Sequence, residues 1–421
     1  MIRRRFLKLG CASVLLGSRS IVTCNARLGG VGVLVGICLA CLIVQRTSAS
    51  AQSDPSISQE LAGFALGADV SQLSVMREHG IVYRNSAGEP ANALAVLKNH
   101  GFNWVREQLL VHPDGVGPLQ NDLAYDVKLA KEIKAQHLHL LVDMFYSDTW
   151  ANPGQQLTPA AWSGLQHKQL VDKLRDYNRR VIRAFRDQDV MPDMVEVGNE
   201  ITNGMMWPDG RVSALKPDTA QWKRLGDLLK AAIEGVREGA GTEQPPFIMI
   251  HINSGGDKAT SVAFFHQLEQ QNVPFDVIGV SDYPWWSGTL PELRENLHAL
   301  ALTFHKPIIV VETSFPWAPQ SMEKEGKILS STESEREILH FPATPAGQAA
   351  YARAIVKIVK DTPDHLGDGL FYWAAEWLLP SNKWNAPAWG NDWTHRALFD
   401  TDGKPLPAMT AFGEAAGHLP Q

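Results

Sequence analysis

Two glutamates in this sequence occupy the carboxyl-terminal ends of apolar, strand-like runs. Glu200 ends the run from Met194 to Glu200, directly after Asn199, and a polar loop follows. Glu312 is the one acid in the apolar run from Ile308 to Thr313. Two facing carboxyl groups can act on the acetal bond of a sugar, one as a proton donor and the other as a nucleophile or base. The pair therefore indicates glycosidic cleavage as the first chemistry to consider.

Cleavage with retention of configuration places different demands on the two groups. The carboxyls must lie about 5–5.5 Å apart, against roughly 6.5–9.5 Å for inversion, with the pKa of the acid raised and the nucleophile charged. We assign the general acid/base to Glu200 and the nucleophile to Glu312. Asn199 is predicted to bind the sugar 2-hydroxyl, and Arg106 to keep Glu312 ionised and oriented. The alternative for each residue is a structural cap or salt bridge.

The elements that would position these residues are eight short apolar runs separated by amphipathic stretches. The runs are Phe64 to Val70, Trp104 to Leu110, Leu138 to Phe145, Met194 to Glu200, Phe247 to Asn253, Val277 to Tyr283, Ile308 to Thr313 and Leu370 to Ala375. The stretches include Leu123 to Ala135, Leu170 to Phe185, Trp222 to Arg237, Leu290 to Phe304 and Ala346 to Val359. Eight strands that alternate with helices predict an α/β fold, either a closed barrel or a doubly wound sheet. The first run is not followed by a glycine-rich phosphate loop, which weakens the doubly wound alternative. We therefore predict a (β/α)8 TIM barrel.

Polar and aromatic residues gather at the ends of these runs, and parallel strands of a barrel bring their ends to one rim. We therefore predict that the strand-end residues bind substrate together with Asn199 and two tryptophans after the sixth run. The predicted substrate-binding set is Asp69, Arg106, Asp143, Asn199, His251, Asn253, Tyr283, Trp285, Trp286 and Trp373.

Tryptophan is abundant near the predicted rim. Of 13 tryptophans, ten follow or end the runs, namely Trp150, Trp207, Trp285, Trp286, Trp317, Trp373, Trp377, Trp384, Trp389 and Trp393. Sugars stack their C–H faces on indole rings, which suits a polysaccharide groove, with Trp373 as its floor. Packing of the loops themselves is the alternative for each ring. Trp104, Trp162 and Trp222 are predicted to pack in the core or under helices.

The first 51 residues differ from the rest. They carry seven Arg and Lys, no acid and an apolar stretch, and end in Ala49-Ser50-Ala51. This pattern predicts an export signal, and Arg3-Arg4-Arg5 resembles a twin-arginine signal, so we expect a periplasmic or extracellular protein. The alternative is an uncleaved membrane anchor, since Leu28 to Val44 approaches the length of a span. Residues 52–421 are predicted to form one catalytic domain.

Charge and cysteine content narrow the function further. The chain has 39 basic and 45 acidic residues, so residues 52–421 retain 32 basic residues and a net charge of −13. An acidic body argues against nucleic acid and polyanionic substrates and favours a neutral polysaccharide. All four cysteines precede residue 52, which excludes disulfides and thiolate chemistry from the predicted domain. No cofactor is expected.

The sequence resembles glycoside hydrolase family 53, the arabinogalactan endo-β-1,4-galactanases, from Gly67 to Pro407. The resemblance rests on the segments 67–71, 83–85, 103–106, 146–154, 197–200, 203–208, 283–284, 311–313, 342–348, 371–373 and 397–400. It implies endo-hydrolysis of β-1,4-galactan with retention, through a covalent intermediate on Glu312. The implied partner is neutral plant galactan or arabinogalactan.

The sequence departs from the family pattern near the expected sugar site. Phe145 replaces a usual histidine, Asp282 a usual tyrosine, Gln108 and Leu110 an arginine and a tryptophan, and Ala374-Ala375 a Glu-Pro pair. Two alternatives therefore stay open: a barrel glycosidase that is exo-acting or cuts another β-glycan, and a non-catalytic glycan-binding protein. Bacterial family members have a structural calcium near strands seven and eight, but Asn382 to Asp392 shows no regular calcium spacing, and no metal site is assigned.

Overall fold

The computed structural model describes residues 63–115, 117–318, 340–379 and 393–420. In this part of the chain eight parallel strands pair in sequence order and close into a barrel, the eighth strand beside the first. The strands are β1 Ala65–Asp69, β2 Trp104–Leu109, β3 His139–Met144, β4 Met194–Val197, β5 Phe247–Ile252, β6 Val277–Asp282, β7 Ile308–Thr313 and β8 Gly367–Tyr372. The predicted TIM barrel is confirmed. The predicted export segment lies outside the described residues, and the division of the chain at residue 51 stays a prediction.

Helices connect successive strands and cover the outside of the barrel. They are α1 Leu73–Glu78, α2 Ala93–Asn99, α3 Leu123–Ala135, α4 His167–Arg186, α5 Thr219–Ala240, α6 Lys258–Gln270, α7 Leu290–Phe304, α8 Pro345–Lys360 and α9 Pro407–Ala416. Helices α3 and α7 have the predicted bounds. Each begins at a side-chain cap: Asp122 accepts from the Tyr125 amide, and Thr289 forms a capping box with Glu292.

Several elements differ from their prediction. Strand β4 ends at Val197, three residues early, because Gly198 (φ 92°) and Glu200 (φ 47°) have left-handed backbones that stop the strand. Strand β8 begins at Gly367, before the predicted run from Leu370. Helix α6 was not predicted, since its buried residues form only a narrow apolar stripe.

The interior of the barrel has two layers. Successive residues of a strand point to opposite faces, so alternate positions face inward. The lower layer is apolar and contains Ala65, Trp104, Leu141, Met194, Met249, Val277, Ile309, Val311 and Phe371. The outward-facing residues join the main core beneath the helices. None of the helices in the described part of the chain is long and apolar enough to cross a bilayer.

Candidate active site

Arg106 is the centre of the upper layer of the barrel. It lies two residues after Trp104 on β2 and therefore faces inward. Its guanidinium donates to Asp69 at 2.7 Å, to Asp143 at 2.7 Å and to Glu196 at 2.7 and 3.1 Å. It also forms an ion pair with Glu312 at 2.9 Å. One buried cation thus holds carboxyl groups from four other strands.

Asp69 and Asp143 bind Arg106, whereas we predicted contacts with sugar. Both are fully buried and bonded to Arg106. Burial raises the pKa of Asp69, with Arg106 opposing. Burial also raises the pKa of Asp143 well above its usual value, and the neighbouring Glu196 adds to the rise. In the structure both side chains support Arg106, and their predicted contact with sugar stays a prediction.

A β-bulge in β7 turns Glu312 into the barrel. Val280 of β6 pairs with Val310, but the next residue, Ser281, pairs with Glu312, so Val311 is an extra residue. The inserted residue shifts the alternation of the strand. Val311 belongs to the interior layer and Glu312 contacts Arg106, so two consecutive side chains face inward. Simple alternation from Val311 would have pointed Glu312 at the helices.

Glu312 is held by donors on both carboxyl oxygens. Arg106 pairs with Oε1 at 2.9 Å, and the Tyr283 hydroxyl donates to Oε2 at 2.8 Å. The residue is 5% exposed, so it retains an accessible edge at the rim. The structure thus brings Arg106 to Glu312 as predicted. The Tyr283 contact is with Glu312, whereas we predicted a contact with substrate.

Glu200 reaches the rim through a strained turn rather than as the last residue of β4. It adopts a left-handed backbone (φ 47°, ψ 49°), which is uncommon for a residue with a side chain. Burial and, second to it, the charge of Glu312 together raise the pKa of Glu200 to about 7. Both predicted acids therefore belong to one electrostatic unit.

Glu196 is a site residue that the sequence reasoning missed. It is fully buried between Arg106 and His251, whose Nδ1 lies 2.9 Å from Oε2. Desolvation opposes its charge, but Arg106 and His251 outweigh this effect and lower its pKa to about 2. The signal was available, because Glu196 follows the inward-facing Met194 by two residues.

His251 is fully buried as well, and its predicted contact with sugar stays a prediction. Its Nδ1 faces Glu196 at 2.9 Å, and its Nε2 lies 2.7 Å from the Ser281 hydroxyl. Ser281, on β6, was not predicted as a site residue.

The two asparagines are anchored by hydrogen bonds. Asn199 accepts from Arg106 at 3.0 Å and donates to the Ala151 carbonyl at 2.8 Å, which leaves its second amide hydrogen available. Asn253 accepts from the Thr202 hydroxyl at 2.6 Å. Asn199 thus lies next to the predicted acid/base as expected, while Asn253 braces the turn that follows Glu200.

Aromatic residues after β6 and β8 form one cluster at the rim. Trp373 and Trp393 meet edge to face with centroids 4.4 Å apart, and Trp285 and Trp286 are 5.6 Å apart. Trp286 is 54% exposed, whereas Trp373 is 8% exposed. Tyr283, which donates to Glu312, contacts Trp285, Trp286 and Trp393. The ring cluster is therefore continuous with the carboxyl site.

The other tryptophans divide as follows. Trp150 lies 6.2 Å from Trp373, centroid to centroid, and extends the cluster toward β3. The Trp207 and Trp317 indoles donate to backbone carbonyls, and Trp377 is buried, so these three hold loops. Trp384 and Trp389 lie outside the described residues. Trp104, Trp162 and Trp222 are buried as predicted.

The departures from the family pattern have distinct positions. Leu110 and Phe145 pack together with Leu119 and Ala151 in a small apolar cluster next to Trp150. Asp282 is fully buried, and neither of its carboxyl oxygens has a hydrogen-bond partner among the described residues. It lies between the inward-facing Ser281 and Tyr283, so its side chain points away from the barrel interior.

No group of three or more His, Cys, Asp or Glu in the described ranges has an arrangement that could hold a metal ion. The segment from Asn382 to Asp392, considered above for calcium, lies outside those ranges.

Comparison with known proteins identifies the family. A model of glycosyl hydrolase family 53 matches residues 65–412. An uncharacterized protein of Niallia circulans is 40% identical over 349 residues, which cover 83% of this chain and 93% of that protein. An arabinogalactan endo-beta-1,4-galactanase of Humicola insolens is 30% identical and covers 82% of this chain and 98% of its own length.

A solved structure agrees with these matches. The family 53 catalytic domain of Ignisphaera aggregans superposes with a TM-score of 0.75 at 31% identity, covering 83% of this chain and 95% of that one. The barrel, the paired acids at its rim and the matching family model lead to one conclusion: this chain is a glycoside hydrolase and belongs to glycosyl hydrolase family 53.

Proposed function

We propose that this protein is an endo-β-1,4-galactanase that hydrolyses galactan or arabinogalactan with retention of configuration. The carrying observation is the environment of the two acids: Glu312 is bound by Arg106 and Tyr283, while burial and the Glu312 charge raise the pKa of Glu200 to about 7. The name of the Humicola insolens relative supports the substrate.

In the first step Glu312 attacks the anomeric carbon while Glu200 gives its proton to the departing glycosidic oxygen. The glycosidic bond breaks, and a covalent sugar ester forms on Glu312. In the second step Glu200, now ionised, takes a proton from water, and the water oxygen displaces Glu312. The donors at Glu312 suit a group that begins and ends the cycle as a carboxylate.

Binding is proposed to use the ring cluster and Asn199. The exposed face of Trp286 and the edge of Trp373 offer stacking surfaces for sugar C–H faces. The remaining amide hydrogen of Asn199 can donate to the 2-hydroxyl beside Glu200.

Hydrolysis of β-1,4-galactan tests the proposal. We expect oligosaccharide products from the outset, with the β-anomer first seen by proton NMR. Glu312→Ala should abolish release of sugar. For Glu200→Ala, an activated aryl galactoside should still glycosylate the enzyme, and azide should restore turnover. An α-anomer as the first product would refute retention.

The apolar cluster of Leu110 and Phe145 favours a second candidate function, that of a family member with altered substrate specificity. In this cluster, beside Trp150, Phe145 replaces a usual histidine of the family pattern and Leu110 replaces a usual tryptophan. Panels of β-galactans, mannans and glucans distinguish the two. Monosaccharide as the main early product would favour an exo-acting enzyme, whereas binding without turnover in wild type would favour a glycan-binding protein.

We also propose export to the periplasm or the outside of the cell, on the strength of residues 1–51. Amino-terminal sequencing of the exported protein is expected to show a start near Gln52. Recovery of the full chain in the membrane fraction would instead indicate an anchor.

A further inference from the structure

Three buried side chains connect Arg106 to Glu200, and none of them was given a role in the two reaction steps described above. Glu196 binds the Arg106 guanidinium through both carboxyl oxygens, at 2.7 and 3.1 Å. Its Oε2 lies 2.9 Å from His251 Nδ1, and His251 Nε2 lies 2.7 Å from the Ser281 hydroxyl. The Ser281 hydroxyl lies next to the Glu200 carboxyl and favours its charged form. We call Glu196, His251 and Ser281 the relay.

The positions of the hydrogens in the relay follow from its fixed end. Glu196 accepts from Arg106 on both oxygens, so it is a carboxylate and requires a hydrogen on His251 Nδ1. When His251 also carries a hydrogen on Nε2, Ser281 accepts that hydrogen, and its own hydroxyl hydrogen is free to point at Glu200. In this arrangement Ser281 donates to a Glu200 carboxylate, and the charge on His251 lies between two acids.

Glu200 needs support for its ionised form because the two largest effects on it oppose ionisation, whereas His251, Ser281 and Arg106 favour it. The groups that face it are Glu312 from β7, Ser281 and Tyr283 from β6, His251 from β5 and Arg106 from β2. Burial and the Glu312 charge favour the protonated acid. The second half of the double displacement requires the carboxylate, which must take a proton from water.

We propose that Ser281, oriented by His251 and Glu196, is a positioning residue that stabilises ionised Glu200 for the general-base step. This inference rests on the function proposed above and adds a division of labour to it. Arg106 and Tyr283 donate hydrogen bonds to Glu312. Glu200 depends on the relay to stabilise its ionised carboxylate, which it needs only in the second step of the reaction.

Ser281→Ala tests the relay, with Ser261→Ala as the matched control. Ser261 is also fully buried and donates to a backbone carbonyl at 2.8 Å, but it lies on α6 outside the site. With a dinitrophenyl galactoside, Ser281→Ala should slow deglycosylation about tenfold. The covalent intermediate should then accumulate as a burst, and kcat and KM should fall together. The alkaline limb of kcat/KM on galactan should move up by about half a pH unit.

The outcomes separate the relay from the proposed function. Suppose that Ser281→Ala still hydrolyses substrate with retention of configuration. If its alkaline limb is then unchanged or moves to lower pH, the relay alone is overturned. Wild type without a covalent intermediate would overturn the proposed function first. If Ser281→Ala does not fold, Ser281→Cys retains a weak donor of similar size and should show the same changes to a smaller extent. Ser261→Ala should reproduce none of them.

Discussion

Below Arg106 the barrel interior consists of Trp104, Leu141, Met249 and other apolar side chains, while directly above them the same strands present five carboxyl groups, an arginine and a histidine. Both layers are inward-facing and buried. The lower one is stabilised by removing apolar surface from water and by close packing. The upper layer is held together by one arginine that pairs with several acids. Burying these charges costs desolvation free energy, but the ion pairs fix the positions of the acids. One set of strands thus provides a packed base and a polar site.

Arg106→Met should disturb the upper layer most. Removing the cation leaves Asp69, Asp143, Glu196 and Glu312 without their shared partner, and breaking a buried pair costs about 3–5 kcal/mol. We expect loss of that stability in urea unfolding and loss of galactan hydrolysis by more than about 1,000-fold. Lys as the replacement should recover part of the stability but little activity, since it lacks the planar fork. Full activity in Arg106→Met would remove the distinction between the layers.

Trp104→Ala probes the lower layer. Its indole contacts His139 and Phe371, so truncation should cost about 3–5 kcal/mol in unfolding free energy. The kcat per folded molecule should stay within about threefold, because the carboxyl site lies above. Trp104→Phe, which also removes an indole N–H that has no hydrogen-bond partner among the described residues, should cost much less. A changed pH profile in Trp104→Ala would show that the layers are coupled.

Tyr283→Phe sharpens the comparison within the upper layer. It removes the donor at 2.8 Å from Glu312 Oε2 but retains the ring contacts with Trp285 and Trp286. We expect kcat/KM to fall about 10- to 100-fold with the melting temperature nearly unchanged. The control is Tyr351→Phe, whose hydroxyl bonds to Thr313 on the helix side. A similar fall in that variant would assign the loss to packing.

Asp282→Asn should have the smallest effect on activity, since we expect it to change only stability. Burial raises the pKa of Asp282 to about 8 from 3.8. The unfolded chain releases this proton first, so stability is lost as the pH rises from about 4 to about 8. Because each pKa unit corresponds to about 1.4 kcal/mol, the variant should be more stable than wild type by several kcal/mol at pH 8, and the gain should vanish near pH 4. The exposed Glu243→Gln should show no such trend in unfolding experiments.

The position of Asp282 also bears on substrate specificity. This residue replaces a family tyrosine, but its side chain points away from the barrel interior. Leu110 and Phe145, by contrast, replace a family tryptophan and a family histidine, and they pack together beside Trp150. Altered specificity, if product profiles reveal it, is therefore expected to arise from the β2 and β3 ends of the rim.

Much of the architecture could be predicted from periodicity and strand-end chemistry. The run from Ile308 to Thr313 is the observed β7, and Glu200 and Glu312 reach the same rim. The depth of a residue could not be predicted in the same way. Asp69, Asp143 and His251 resemble Asn199 or Tyr283 in sequence, since each lies at or near the end of a strand, and their complete burial is set by neighbouring strands.

The sequence by itself determined the eight-fold alternation, the barrel and the choice of the two candidate acids, because strand and helix periods and strand-end residue types are local properties. Only the tertiary structure decided which face Glu312 uses, through the extra residue at Val311. Only the tertiary structure made Glu196, His251 and Ser281 neighbours of Glu200. Direction and contact depend on register between strands far apart in the chain, and a local pattern does not contain that register.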